Sequence, residues 1–119
     1  TPADIAESIV SEIAGPGLSA DAREALLDSH RRLRTAGYVA AMRAVTGFTD
    51  FPAFEDIAVP TLVITGSEDR VAPPAHARLM AERIPGARFV EIAGAGHISN
   101  IEAPEAFNAA LGDFLGSPG

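Results

Sequence analysis

Asp69 and His97 each follow a short apolar run by a few residues. Thr61-Leu-Val-Ile-Thr65 precedes the aspartate, and Arg88-Phe-Val-Glu-Ile92 precedes the histidine. A carboxylate beside an imidazole accepts a hydrogen bond from one ring nitrogen, which fixes tautomer and orientation. The other nitrogen is then free to take a proton from a nucleophile. These two residue types are the acid and base of a triad, and the two segments that carry them do not contain the third member. Plainer duties compete. Asp69 also suits a turn cap ahead of a helix, and His97 also suits a surface loop or the start of the next helix.

The elements around the pair favour the chemical reading. Both runs lack strict alternation or sit between turn residues, as strands do. Residues 73–84 read as a helix, with Pro73 near its start and Leu79, Met80 and Ile84 inward. A strand, a helix and a strand joined this way form a parallel βαβ unit with a right-handed crossover. Adjacent parallel strands lie about 4.8 Å apart, and ligands gather beyond their carboxyl ends. Asp69 and His97 both fall there. Gly94 and Gly96 allow backbone turns that a side chain would obstruct. Arg88 and Glu91 suit a sheet edge. From Pro104, the spacing of Phe107, Ala110, Leu111, Phe114 and Leu115 is that of a helix with one apolar face. Glu102 is expected near that helix start, where the dipole favours a carboxylate.

The first half reads as helical. Pro2 opens a helix with Ile5, Ile9 and Ile13 as its stripe, stopped by Gly15-Pro16-Gly17. Ser19 caps a second helix whose apolar side is Ala22, Leu26, His30 and Leu33, ending at Gly37. Tyr38, Ala41, Met42 and Val45 form a third, closed by Gly47. Phe48, Phe51 and Phe54 follow in a loop or helical turn broken by Pro52. The expected fold class is therefore α/β, with residues 1–55 all-helical and residues 56–119 carrying the β-α-β-α portion.

Composition narrows the partners. A net charge of −7 argues against nucleic acid and anionic membranes. The absence of cysteine excludes thiolate chemistry, disulfides and cysteine zinc sites. His30, His76 and His97 have no metal-ligand spacing, so no cofactor or metal is expected. No apolar run approaches the roughly 18 residues of a membrane span. Every cation is arginine, a bias that fits a GC-rich bacterial genome, and a cytoplasmic protein is expected. The chain begins at Thr1, so it is expected to start inside a longer product or after a cleavage.

Val59-Pro60-Thr-Leu-Val-Ile-Thr-Gly66 followed by Asp69-Arg70 resembles the seventh strand and acid loop of the α/β-hydrolase fold. Ala93-Gly-Ala-Gly-His97-Ile-Ser-Asn-Ile-Glu102-Ala-Pro104-Glu-Ala-Phe107 resembles its eighth strand, histidine loop and last helix. The wording of that tail is most similar to 3-oxoadipate enol-lactonases, while carboxylesterases and non-haem haloperoxidases have similar tails. The resemblance implies a lid for residues 1–55, the triad acid at Asp69 and the triad base at His97. It also implies a small ester or lactone substrate. The family's nucleophile elbow, Gly-x-Ser-x-Gly, is absent from these residues, and its oxyanion-hole donors go with it. Ser67 lacks the glycine frame, and Ser99 lies too close to His97 to be presented to it. The expected protein is a C-terminal hydrolase portion, inactive without an N-terminal half as partner, or else a non-catalytic interaction module. Arg31, Arg32 and Arg34 are either a solvated helix face or a seat for a substrate carboxylate. Two strands make a marginal sheet, so self-association by edge pairing or lid exchange is expected.

Overall fold

Pro2 and Ser19 start the first two helices. Pro2 opens α1 (Pro2–Ile13), and the Ser19 hydroxyl accepts from the Ala22 amide at 3.2 Å to cap α2 (Ala20–Arg31). The computed structural model of the chain describes residues 1–49 and 53–116. Phe51 and Pro52 of the expected broken loop lie outside the described residues. α3 (Thr35–Gly47) completes the helical half, and a 3₁₀ turn at Phe54–Asp56 leads out of it.

α1 and α2 pack through Ala6, Val10 and Leu27, with Leu18 and Leu26 against them. This corrects the expected α1 stripe: Ile5 is 41% exposed, and Ile9 and Ile13 are half-buried flanks. α1 carries two adjacent apolar rows about 100° apart, and the row with the smaller residues lets the helices approach. A second correction concerns Gly37. α2 stops at Arg31, and Gly37 lies in the first turn of α3 with no left-handed backbone. Leu33, expected on the apolar side of α2, is 43% exposed. α3 buries none of its residues.

The second half is the expected β-α-β-α unit. β1 (Leu62–Gly66) and β2 (Arg88–Ile92) pair in parallel, from Leu62 opposite Arg88 to Gly66 opposite Ile92. α4 (Pro74–Arg83) connects them and packs on both strands. Its inward row is Ala77, Met80, Ala81 and Ile84, spaced i, i+3, i+4, i+7, so Leu79 is left 54% exposed, contrary to expectation. A short helix α5 (Ser99–Glu102) precedes α6 (Pro104–Gly116). Phe107, Ala110 and Phe114 of α6 are half-buried, whereas Leu115 is 72% exposed. Val63, Ile84, Ile92 and Ala95 form the buried centre of this half.

Candidate active site

The register of the two strands brings Gly66 and Ile92 side by side, so the loops leaving them start together. The Ser67 amide donates to Ile92 O at 2.9 Å and the Glu68 amide to Ala95 O at 2.9 Å, which binds one loop to the other. Asp69 and His97 meet across this junction. Nδ1 of His97 lies 3.0 Å from Oδ2 and 3.2 Å from Oδ1 of Asp69. Oδ1 also accepts from the amides of Val71 at 3.0 Å and Ala72 at 2.8 Å. Asp69 therefore caps its turn and orients the imidazole with one carboxylate.

Burial of Asp69 works against its ionised form. The Ala72 amide, the His97 ring and the Val71 amide outweigh that and hold the carboxyl below its ordinary value near 3.8. An ionised carboxylate offers no hydrogen, so the shared proton sits on Nδ1. In the neutral form of the ring Nε2 carries the lone pair, and the His97 side chain is 38% exposed against 8% for Asp69. The pair is a buried carboxylate behind an accessible imidazole.

The histidine loop is held by its backbone. The Gly94 amide donates to Ser67 Oγ at 2.8 Å, Ala95 to Ile92 O at 3.4 Å, Gly96 to Glu102 Oε2 at 2.8 Å and His97 to Ile13 O at 2.9 Å. Gly94 has φ +75°, which favours glycine. A Cβ on Gly96 would overlap the backbone of Ala14 and Gly15. The other oxygen of Glu102 accepts from the Gly15 amide. Glu102 stands near the start of the last helix as expected, two residues before Pro104. It ends α5, and its carboxylate turns away to backbone amides. Arg70 adds a third tie, donating to Ser11 O at 2.7 Å at the end of α1.

The remaining candidates lie elsewhere. The Ser67 hydroxyl is engaged by Gly94, and Ser99 is buried in α5. Arg31 pairs with Glu24 at 2.9 Å and Arg32 with Asp28 at 2.6 Å, both on the α2 surface, and Arg34 is exposed at the start of α3. His30 Nδ1 lies 2.9 Å from Leu26 O, and His76 is exposed on α4. No metal-binding group of three or more ligand side chains occurs among the described residues, and none of their helices is long and apolar enough to cross a membrane. A hollow of about 510 Å³ lined by Val59, Pro60, Arg88 and Phe114 lies at the opposite ends of the strands, away from the pair. A smaller one of about 320 Å³, lined by Gly15, Pro16, Glu68 and Arg70, borders the acid loop.

The chain is similar to known proteins. The chain is 36% identical over 75 residues to 3-oxoadipate enol-lactonase 2 of Acinetobacter baylyi, covering 63% of this chain and 28% of that protein. It is 47% identical over 55 residues to rhodomycin D methylesterase DauP of a Streptomyces species, covering 46% of this chain and 18% of that one. The crystal structure of the enol-lactonase from Burkholderia xenovorans LB400 superposes with a TM-score of 0.84 at 32% identity, over 96% of this chain and 45% of that chain. The chain thus spans less than half the length of these relatives. A family model described as "Alpha/beta hydrolase family" matches residues 3–110, and with the parallel β-α-β-α unit this shows that the chain belongs to the α/β-hydrolase family.

Proposed function

We propose that Asp69 and His97 are the acid and base of a hydrolase triad whose serine lies outside these 119 residues, and that the reaction is ester or lactone cleavage. The observation that carries this reading is the 3.0 Å contact from Nδ1 to a buried carboxylate with the imidazole otherwise open. In the assembled enzyme Nε2 takes the proton of the serine hydroxyl as it attacks the carbonyl, and Asp69 stabilises the imidazolium. The tetrahedral intermediate collapses to an acyl-enzyme as the imidazolium gives its proton to the leaving oxygen, and the neutral His97 then activates the water that cleaves the acyl-enzyme. The tail from Gly96 to Asn108 and the similarity to two enol-lactonases favour an enol-lactone substrate. Residues 1–55 act as the lid. The exposed apolar row Val39, Met42 and Val45 on α3 supports that role.

The test uses a fluorophosphonate probe with an enol-lactone or p-nitrophenyl ester. The chain alone is expected to show neither labelling nor turnover. Both are expected on adding an N-terminal hydrolase half that carries Gly-x-Ser-x-Gly. Labelling of the chain alone would disprove the assignment of the nucleophile to another segment. Silence in both cases would favour a non-catalytic interaction module.

A further inference from the structure

The histidine loop, the turn after α1 and the end of α5 meet at one side chain. Glu102 lies five residues beyond His97 in sequence, and its two oxygens accept from amides in separate parts of the chain. One is Gly96, directly before the imidazole, and the other is Gly15, in the turn that ends α1. The backbones are close enough that a Cβ on Gly15 would overlap the backbone of Ala95 and Gly96, and it would stand 2.8 Å from Glu102 Oε1. Hydrogen bonds to an ionised acceptor are stronger than neutral ones. Among the four amide contacts of residues 94–97, Glu102 supplies the charged acceptor, and Ile13 O, which holds the His97 amide, belongs to the same α1 terminus.

We propose that Glu102 is a positioning residue for His97: by bridging the amides of Gly96 and Gly15 it couples the docking of the α1 terminus to the seating of the imidazole on Asp69. If that terminus moves, Gly15 leaves the carboxylate and Ile13 O leaves the His97 amide together. The loop then loses its register to the acid. A shift of the N-terminal helices is in this way transmitted to the proton-accepting nitrogen. This role rests on the reading of His97 as the base, but its test involves neither serine nor substrate, so the two stand or fall separately.

The experiment uses the ¹⁵N-labelled 119-residue chain and Glu102→Gln. An amide group of the same size presents a donor where one backbone N–H needs an acceptor. Hydrogen exchange at Gly15 and Gly96 is expected to quicken about tenfold, with Leu27 unchanged as the control. The ring ¹⁵N signals of His97 are expected to shift, and the Asp69 carboxyl to titrate closer to its ordinary value. Faster exchange with unchanged His97 signals and an unchanged Asp69 titration would reduce Glu102 to a structural tie and overturn the proposal. Should the variant not fold, native-state exchange of the unaltered chain decides. Gly15 and Gly96 are expected to open in one event of equal free energy, and separate openings would overturn the coupling.

Discussion

The Asp69 carboxylate faces three donors: two amides of its own turn and the imidazole of His97. Its acidity is linked to folding because the unfolded chain offers none of them. A carboxyl whose folded pKa lies below its unfolded value contributes stability above the unfolded value and loses it as pH falls through the folded one. The chain is therefore expected to lose stability with acid below about pH 4. Asp69→Asn is expected to weaken that dependence, read by urea melts across pH 2 to 6. In the assembled hydrolase the same change leaves the ring without its ionised acceptor, and turnover is expected to fall by about 10³- to 10⁴-fold with labelling slowed alike. Asp69 and His97 were legible because a strand-to-loop pattern places each at a carboxyl end. Glu102 was not, since its partners are backbone amides, one of them 87 residues away, and no side-chain type marks an amide.

At the scale of elements, spacing located helices and strands well, but chose the wrong face where apolar rows compete. In α4 a leucine outweighed two alanines to the eye, yet Ala77, Met80, Ala81 and Ile84 make the inward row. Small residues let a helix lie close to a sheet, and hydrophobicity alone does not reveal that. α1 failed similarly, with the isoleucine row displaced by Ala6 and Val10. Gly37 misled because a glycine near a helix end is ambiguous between a terminus and a first turn. The consequence is measurable. Ile84→Ala removes a side chain 3% exposed and is expected to cost about 2–4 kcal/mol. Leu79→Ser, at 54% exposure, is expected to change stability by no more than about 0.5 kcal/mol. Denaturant midpoints of the two variants distinguish the rows, and a larger loss at Leu79 would restore the expected one. Gly96→Ala belongs at this scale too. It forces the histidine loop off the α1 terminus, and about 1–3 kcal/mol of stability is expected to go with it.

For the molecule as a whole, size and burial disagree with a self-sufficient domain. A compact chain of this length has a radius of gyration near 13–14 Å, whereas this one measures 16.1 Å and extends 44 × 34 × 23 Å. The buried hydrophobics form two small groups, and Val45, Val59 and Leu115 are each more than 60% exposed. The sheet has two strands, so β1 keeps a second edge unpaired among the described residues. An open strand edge beside exposed apolar helices invites pairing. The net charge of −7 opposes like chains only within about a Debye length of 8–10 Å at physiological salt, too weakly to hold such surfaces apart. We propose that the isolated chain self-associates by pairing at β1 or by exchanging its N-terminal helices, and that an N-terminal hydrolase half competes for the same edge. Light scattering at micromolar concentration is expected to give a mass of at least twice 12.3 kDa, and the added half is expected to convert it to a one-to-one complex. A 12.3 kDa monomer with sharp cooperative unfolding would contradict both statements. A dimer that persists while it binds the added half would separate them, placing the self-contact away from β1 and leaving that edge for the hydrolase partner alone.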